Sequence, residues 1–181
     1  MRSRRLVCLA LLALLVASPA AAFPFAPTEP QAVPELSFVD GDGNQISLAD
    51  FRGKVVVLNL WATWCAPCRH EMPGLDRLQA EHGGADLHVV ALSLDRGEIG
   101  QIREFYDEVG VQSLGIYHDP KAAAGRALRA PGLPTTLVID REGREVGRVL
   151  GPAEWDSEEA VALLKAIMGE TGHTGIDETA G

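Results

Sequence analysis

The chain has 181 residues, with 25 acidic side chains against 16 basic ones and a formal charge of −9. That acidity argues against nucleic acid or anionic membrane surfaces as partners, since both require clustered positive charge. The length suits one α/β domain with a single core.

Arg2, Arg4 and Arg5 precede an apolar run over residues 6–16 and then Ser18-Pro19-Ala20-Ala21-Ala22, a small-x-small pattern before Phe23. Residues 1–22 therefore read as a secretory signal peptide cut after Ala22. The run is short for a membrane span, and Cys8 follows Val7 rather than a small residue, which argues against a lipoprotein cleavage site. An uncleaved anchor is the alternative, and only then would the membrane itself be a partner. Cleavage removes Cys8 and three arginines, leaving 13 basic against 25 acidic side chains, a charge of −12, and one cysteine pair.

Residues 23–34 hold prolines at positions 24, 27, 30 and 34 and show neither helical nor strand period, which predicts an extended leader acting as a spacer. Residues 36–39 and 45–48 flank Asp40-Gly41-Asp42-Gly43-Asn44, predicting a β-hairpin. Asp40, Asp42 and Asn44 are spaced like the opening of a calcium loop. Gln45 stands where that loop needs glycine, however, and Phe51 where it needs glutamate.

Val55, Val56, Val57, Leu58 and Leu60 form a continuous apolar run, the signature of a strand covered on both faces. The run passes through Trp61-Ala62-Thr63-Trp64 into Cys65-Ala66-Pro67-Cys68, after which Met72, Leu75 and Leu78 recur at helical spacing. Pro67 falls in the first helical turn, where a missing amide hydrogen is tolerated. Cys65 thus meets free backbone N–H groups and the positive end of the helix dipole, which favour the thiolate; in such motifs the thiol pKa falls to roughly 3.5–7.5. Cys65 is the expected attacking sulfur. Cys68, one turn later and more buried, is the expected resolving sulfur. A zinc site needs about four ligands, and there is no second cysteine pair to supply them. A structural disulfide closing so short a loop removes little chain entropy. The pair reads as a redox-active disulfide, with no metal and no bound cofactor.

Residues 87–94 predict a second buried strand, and Ile99, Ile102, Phe105 and Val109 an amphipathic helix stopped by Gly110. Such a crossover implies parallel strands. Asp119-Pro120 opens a short alanine-rich helix. Residues 135–139 and 146–150 predict two antiparallel strands joined at Asp140-Arg141-Glu142-Gly143. Asp156 with Glu159 is expected to cap a final helix with an apolar face of Val161, Leu164 and Met168. That helix is expected to end at Gly169, before a polar tail over residues 169–181.

The strand entering Trp61-Ala62-Thr63-Trp64-Cys65-Ala66-Pro67-Cys68, Pro73, Gly132-Leu133-Pro134-Thr135 before a strand, and the terminal hairpin and helix resemble the thioredoxin superfamily. The N-terminal hairpin, the inserted strand-helix between Leu87 and Tyr117, and Arg69-His70-Glu71-Met72-Pro73 are similar to its extracytoplasmic TlpA-like and ResA-like branch. Gly151-Pro152-Ala153-Glu154-Trp155 is most similar to the TlpA-like members. The resemblance spans residues 35–168 and implies an α/β thioredoxin-like fold, a central mixed β-sheet flanked by helices with an N-terminal β-hairpin and an inserted strand-helix.

By that resemblance Pro134 matches the family's cis-proline facing the cysteines, and with the backbone of Leu133 it pairs with an extended substrate segment. Glu71 matches the acidic residue near the dithiol, able to take up protons from the thiols. Asn59 stands where cytoplasmic relatives carry a buried aspartate, which leaves Glu71 as the proton relay. Trp64 is expected to pack beside Cys65 and shape the docking surface, and Trp61 to lie in the core. His70 and His118 read as structural or exposed. The implied activity is that of a periplasmic protein-disulfide reductase, fed by a membrane thiol donor and acting on disulfides of respiratory cytochrome assembly, in copper sites or apocytochrome c. Two other readings stay open: a module in which Cys65 and Cys68 carry Cu(I), and a general oxidase or isomerase of secreted proteins.

Overall fold

A computed structural model describes residues 23–171; the expected signal peptide and most of the polar tail lie outside the described residues. The strands are β1 (Ala26–Ala32), β2 (Ser37–Asp40), β3 (Gln45–Ser47), β4 (Val55–Trp61), β5 (Leu87–Ser93), β6 (Tyr117–His118), β7 (Thr135–Ile139) and β8 (Arg144–Leu150). The α-helices are α1 (Ala66–His82), α2 (Ile99–Val109), α3 (Ala123–Ala127) and α4 (Glu158–Thr171). All eight strands form one mixed sheet in the order β1-β8-β7-β4-β5-β6-β2-β3.

The helical crossovers α1 and α2 make β4, β5 and β6 parallel, while every other neighbouring pair is antiparallel. This is the expected central mixed sheet flanked by helices, with its N-terminal hairpin and inserted strand-helix. Every residue of β4 is buried, as its unbroken apolar run requires. Side chains alternate across the pleat. Val55, Val57 and Trp61 face a core shared with Met72, Leu75, Ile102, Phe105 and Leu164. Val56, Leu58 and Leu60 face a second core with Phe38, Ala124, Leu128 and Leu137. Gly110 ends α2 in the left-handed conformation (φ 75°), a conformation glycine adopts at little cost.

Three sequence expectations are corrected. The leader is extended, but it is not a free spacer. Its residues 26–32 form β1, which pairs antiparallel with β8 and makes the sheet edge. Pro27 and Pro30 lack N–H donors and obscured this pairing, yet an edge strand accommodates them because one side of its backbone has no partner. The leader is also fastened by aromatics: Phe23 packs edge-on against Trp155 at 5.1 Å between ring centroids. Second, Ser157 rather than Asp156 caps α4, accepting a hydrogen bond from the Ala160 N–H at 3.2 Å; Asp156 instead accepts from Arg77 Nε at 2.7 Å. Third, α4 continues past Gly169 to Thr171, since an isolated glycine only weakens a helix. The buried residues of α4 are Ala160, Leu164 and Ile167, with Val161 and Met168 partly covered. Among the described residues no helix is long and apolar enough to cross a membrane.

Phe25 lies over Gly147 in β8, where a Cβ would come within 2.7 Å of the Ala26 carbonyl oxygen and overlap the Phe25 ring. Gly147→Ala should therefore push the leader off the sheet edge and destabilise the domain by roughly 1–3 kcal/mol. Denaturant unfolding and proteolysis of residues 23–34 would register the change, and unaltered behaviour in both would contradict the packing.

Candidate active site

Cys65 stands at the end of the turn leaving β4 and is the N-cap of α1, its carbonyl accepting from the Arg69 N–H at 3.0 Å. The first-turn N–H groups of Ala66 and Cys68 have no acceptor within the helix, and no acidic side chain occupies that turn. The local field at the Cys65 sulfur therefore favours negative charge. The sulfurs of Cys65 and Cys68 are joined at 2.03 Å. Cys68 is completely buried, whereas Cys65 retains 5% of its surface.

One helical turn beyond Cys68, Glu71 projects from the same side of α1 toward β4 and is only 5% exposed. Its Oε1 accepts from Asn59 Nδ2 at 2.7 Å, and its Oε2 from the Ala153 N–H at 3.1 Å. Asn59 Nδ2 also donates to Thr136 Oγ1 at 2.8 Å, which ties the carboxyl to β4, β7 and the loop before α4. The buried indole N–H of Trp155 lies near the carboxyl without completing a hydrogen bond. Burial raises the Glu71 pKa from 4.5 to about 7, because loss of water penalises the anion more than these donors favour it. Such a carboxyl can exchange a proton with a thiol near neutral pH. Glu71 is thus no solvated helix charge. A cleft of about 560 Å³, lined by His70, Glu71, Arg77, Glu154 and Asp156 among others, joins it to solvent.

The Leu133-Pro134 peptide is cis, and the Pro134 carbonyl accepts from the Gly151 N–H at 3.0 Å. Since Leu60 pairs with Thr135, Pro134 lies one register step further, beside Trp61 at the end of the sheet from which Cys65 emerges. Leu133 is half-buried just outside β7. Trp61 is core, whereas Trp64 stands 72% exposed, projecting outward more than packing down on Cys65. Leu150, 58% exposed and paired with Thr135, adds an apolar side chain at the same end. Its position as the last residue of an alternating strand gave no functional signal. His70 is exposed, and His118 is structural, its Nε2 bonded to the Asp95 carbonyl at 2.8 Å.

Asp95 was not legible in the sequence as a site residue. Its buried carboxylate accepts from the Thr63 N–H and Thr63 Oγ1, both at 2.9 Å, and from Ser93 Oγ at 2.8 Å. These bonds fix the turn that carries Trp64 and Cys65. Arg69 braces the turn from α1 by donating to the Thr63 carbonyl while stacking over Phe105 at 4.5 Å and pairing with Glu108. The only available signal was an acid directly after a buried strand, a pattern too common to single out.

The Redoxin family model matches residues 28–164 of the chain. The chain belongs to the Redoxin family. It is 31% identical over 134 residues to the thiol-disulfide oxidoreductase ResA of Bacillus thuringiensis (strain Al Hakam), covering 74% of this chain and 75% of that one. Among solved structures it is similar to a candidate thiol:disulfide interchange protein DsbE from Chlorobium tepidum, with TM-score 0.70, 29% identity, and coverage of 80% of this chain and all of that one. It is also similar to an exposed lipoprotein thioredoxin of Streptococcus pneumoniae strain TIGR4, with TM-score 0.63, 27% identity, and coverage of 74% and 99%. This Redoxin-family chain is a ResA-like member of the thioredoxin superfamily and a thiol-disulfide oxidoreductase, whose substrates are disulfide-containing proteins.

The raised pKa of Glu71 makes stability depend on pH. Between pH 4.5 and about 7 the folded chain holds a proton that the unfolded chain has released. The associated stabilisation is complete below pH 4.5 and is lost as pH rises through 7, amounting to roughly 3 kcal/mol. Chemical denaturation across pH 5–8 should show that fall in the native protein and a flatter profile in Glu71→Gln. Parallel profiles would place the Glu71 pKa near its ordinary value.

Proposed function

We propose that this protein is an exported, periplasmic protein-disulfide reductase in which Cys65 attacks, Cys68 resolves and Glu71 manages the proton. The observation that carries the reading is the buried Glu71 carboxyl one turn from a fully buried Cys68. Cys68 must ionise to resolve, and burial raises a thiol's pKa unless a base is close.

The Cys65 thiolate attacks one sulfur of the substrate disulfide; that S–S bond breaks, a mixed disulfide forms on Cys65, and the leaving thiolate takes a proton. Glu71 then accepts the Cys68 proton, and the Cys68 sulfur attacks Cys65. The Cys65–Cys68 disulfide forms, the substrate's second thiolate leaves, and two electrons have passed to the substrate. A membrane thiol donor would return them, because an oxidising envelope keeps exposed dithiols oxidised.

Several features support the direction and setting. Ala66-Pro67 lacks the histidine of strongly oxidising relatives. The N-terminal signal pattern and the exposed lipoprotein relative support export. Leu133, Pro134 and Trp64 offer a strand edge and an aromatic contact for an extended substrate segment. The substrate class we favour is the cysteines of respiratory cytochrome assembly, in copper sites and their chaperones or in apocytochrome c, with Gly151-Pro152-Ala153-Glu154-Trp155 tipping the choice toward copper.

Replacing Cys68 with Ala should strand a mixed disulfide on Cys65 with a small set of envelope proteins enriched in those assembly factors. Pulsed alkylation of the reduced native protein should label Cys65 first. Recovery of a broad sample of secreted proteins would favour an oxidase or isomerase, and tight Cu(I) binding by the reduced dithiol without any trapped partner would favour a copper carrier.

A further inference from the structure

An acidic chain should have no difficulty pairing its arginines. Arg69, Arg77, Arg141, Arg144 and Arg148 each hold a carboxylate within 3.2 Å. Among the described residues Arg52, Arg96, Arg103, Arg126 and Arg129 have no carboxylate partner, although acids outnumber bases 25 to 16 in the chain. Two of the five, Arg126 and Arg129, share one groove. They line a space of about 310 Å³ with Leu94, Ala122, Gly125 and Leu133, and one Arg126 nitrogen is held by the Lys121 carbonyl at 2.8 Å, which orients its guanidinium. The groove adjoins the dithiol end of the sheet, since the Leu94 N–H donates to the Trp61 carbonyl and Leu133 precedes the cis-proline.

Arg129 takes φ 52° as the left-handed residue that closes α3, where the Ala130 N–H donates to the Gly125 carbonyl at 2.9 Å and fixes the backbone that carries the Arg129 side chain. The groove's lining includes no acidic side chain. On the other side of the dithiol, Glu154 and Asp156 line the cleft over Glu71. Arg77 pairs with Asp156 in that cleft, so its charges are mixed, whereas the charged side chains lining the groove beside Leu133 are all cations.

We infer that the groove beside Leu133 receives an acidic side chain flanking the cysteine of the substrate protein, so that Arg126 and Arg129 select acidic docking segments. The inference rests on the reductase reading above and adds the chemistry of the partner. An extended segment pairing with the Leu133 backbone sends alternate side chains to opposite sides, so residues next to the attacked cysteine reach the groove while the cysteine meets Cys65. The guanidinium groups draw in the acidic segment and repel a basic one, an effect expressed mainly in association and weakened by salt.

The test uses the reduced mature protein and two disulfide peptides of identical sequence except that glutamates or lysines flank the cysteines. The expected second-order rate constant for single-turnover oxidation of the dithiol at low ionic strength is about tenfold higher for the glutamate peptide, converging as salt rises. The double variant Arg126→Glu, Arg129→Glu should reverse the preference, whereas Arg52→Glu, an exposed arginine next to Gly143 at the opposite end of the sheet, should leave it unchanged. Arg129→Gly suits the left-handed position that closes α3, so it should raise the unfolding midpoint while weakening the discrimination. Equal rates for the two peptides, or a preference that Arg52→Glu shifts as much as the groove variants do, would overturn the inference and leave the reductase reading standing. Failure to reduce either peptide would bring down both.

Discussion

A carboxyl group set against the middle of a central strand can exist only where neutral donors replace the water it has lost. Asn59 and the Ala153 N–H meet that requirement for Glu71, and Thr136 Oγ1 holds the Asn59 amide in place by accepting from it. The alternation of β4 makes it possible: Asn59 falls on the same face as Val57 and Trp61, under α1, so one polar side chain interrupts an apolar surface where Glu71 descends. Had the amide occurred one residue earlier or later, it would have faced the second core and left the carboxyl unpaired. The donors are neutral, so they hold the group without forcing it to ionise. This placement leaves a carboxyl whose pKa is raised to about 7 one helical turn from Cys68.

The remaining parts of the site follow from the same strand. Because β4 is covered on both faces and paired on both edges, the turn after Trp61 is the first point at which its chain can reach solvent. Asp95, at the end of the parallel neighbour β5, binds that turn at Thr63 and sets the angle at which Cys65 enters α1. On the other edge, β7 begins at Thr135, and the bond from Gly151 to Pro134 fixes the loop before it, leaving Leu133 beyond the last paired position. Rigid neighbours thus position a site built largely from turns.

The strongest local signals were legible in the sequence. The unbroken apolar run of β4 and its entry into Cys65-Ala66-Pro67-Cys68 located the dithiol, and helical spacing after Cys68 located α1. Glu71 and Pro134 were not readable from spacing alone; the family resemblance singled them out, and burial turned Glu71 from an ordinary helix charge into a perturbed acid. What escaped depends on distant partners. β1 has no period of its own because all seven of its residues are exposed, and its existence comes from β8 and from Phe23 meeting Trp155, more than a hundred residues away. Asp95 likewise acquires its meaning only when β4 and β5 lie side by side. The exchange of Asp156 for Ser157 at the start of α4 has a similar origin, since Arg77 of α1 takes the aspartate for an ion pair.

The most direct measurement is infrared spectroscopy of the carboxylic C=O band of Glu71, isolated by subtracting the spectrum of Glu71→Gln over a range of pH. A protonated carboxyl in this dry position should give a band that disappears with a midpoint near pH 7. A band that is lost around the ordinary value of 4.5 would mean that water reaches the group freely, and the buried proton acceptor of the proposed mechanism would not exist.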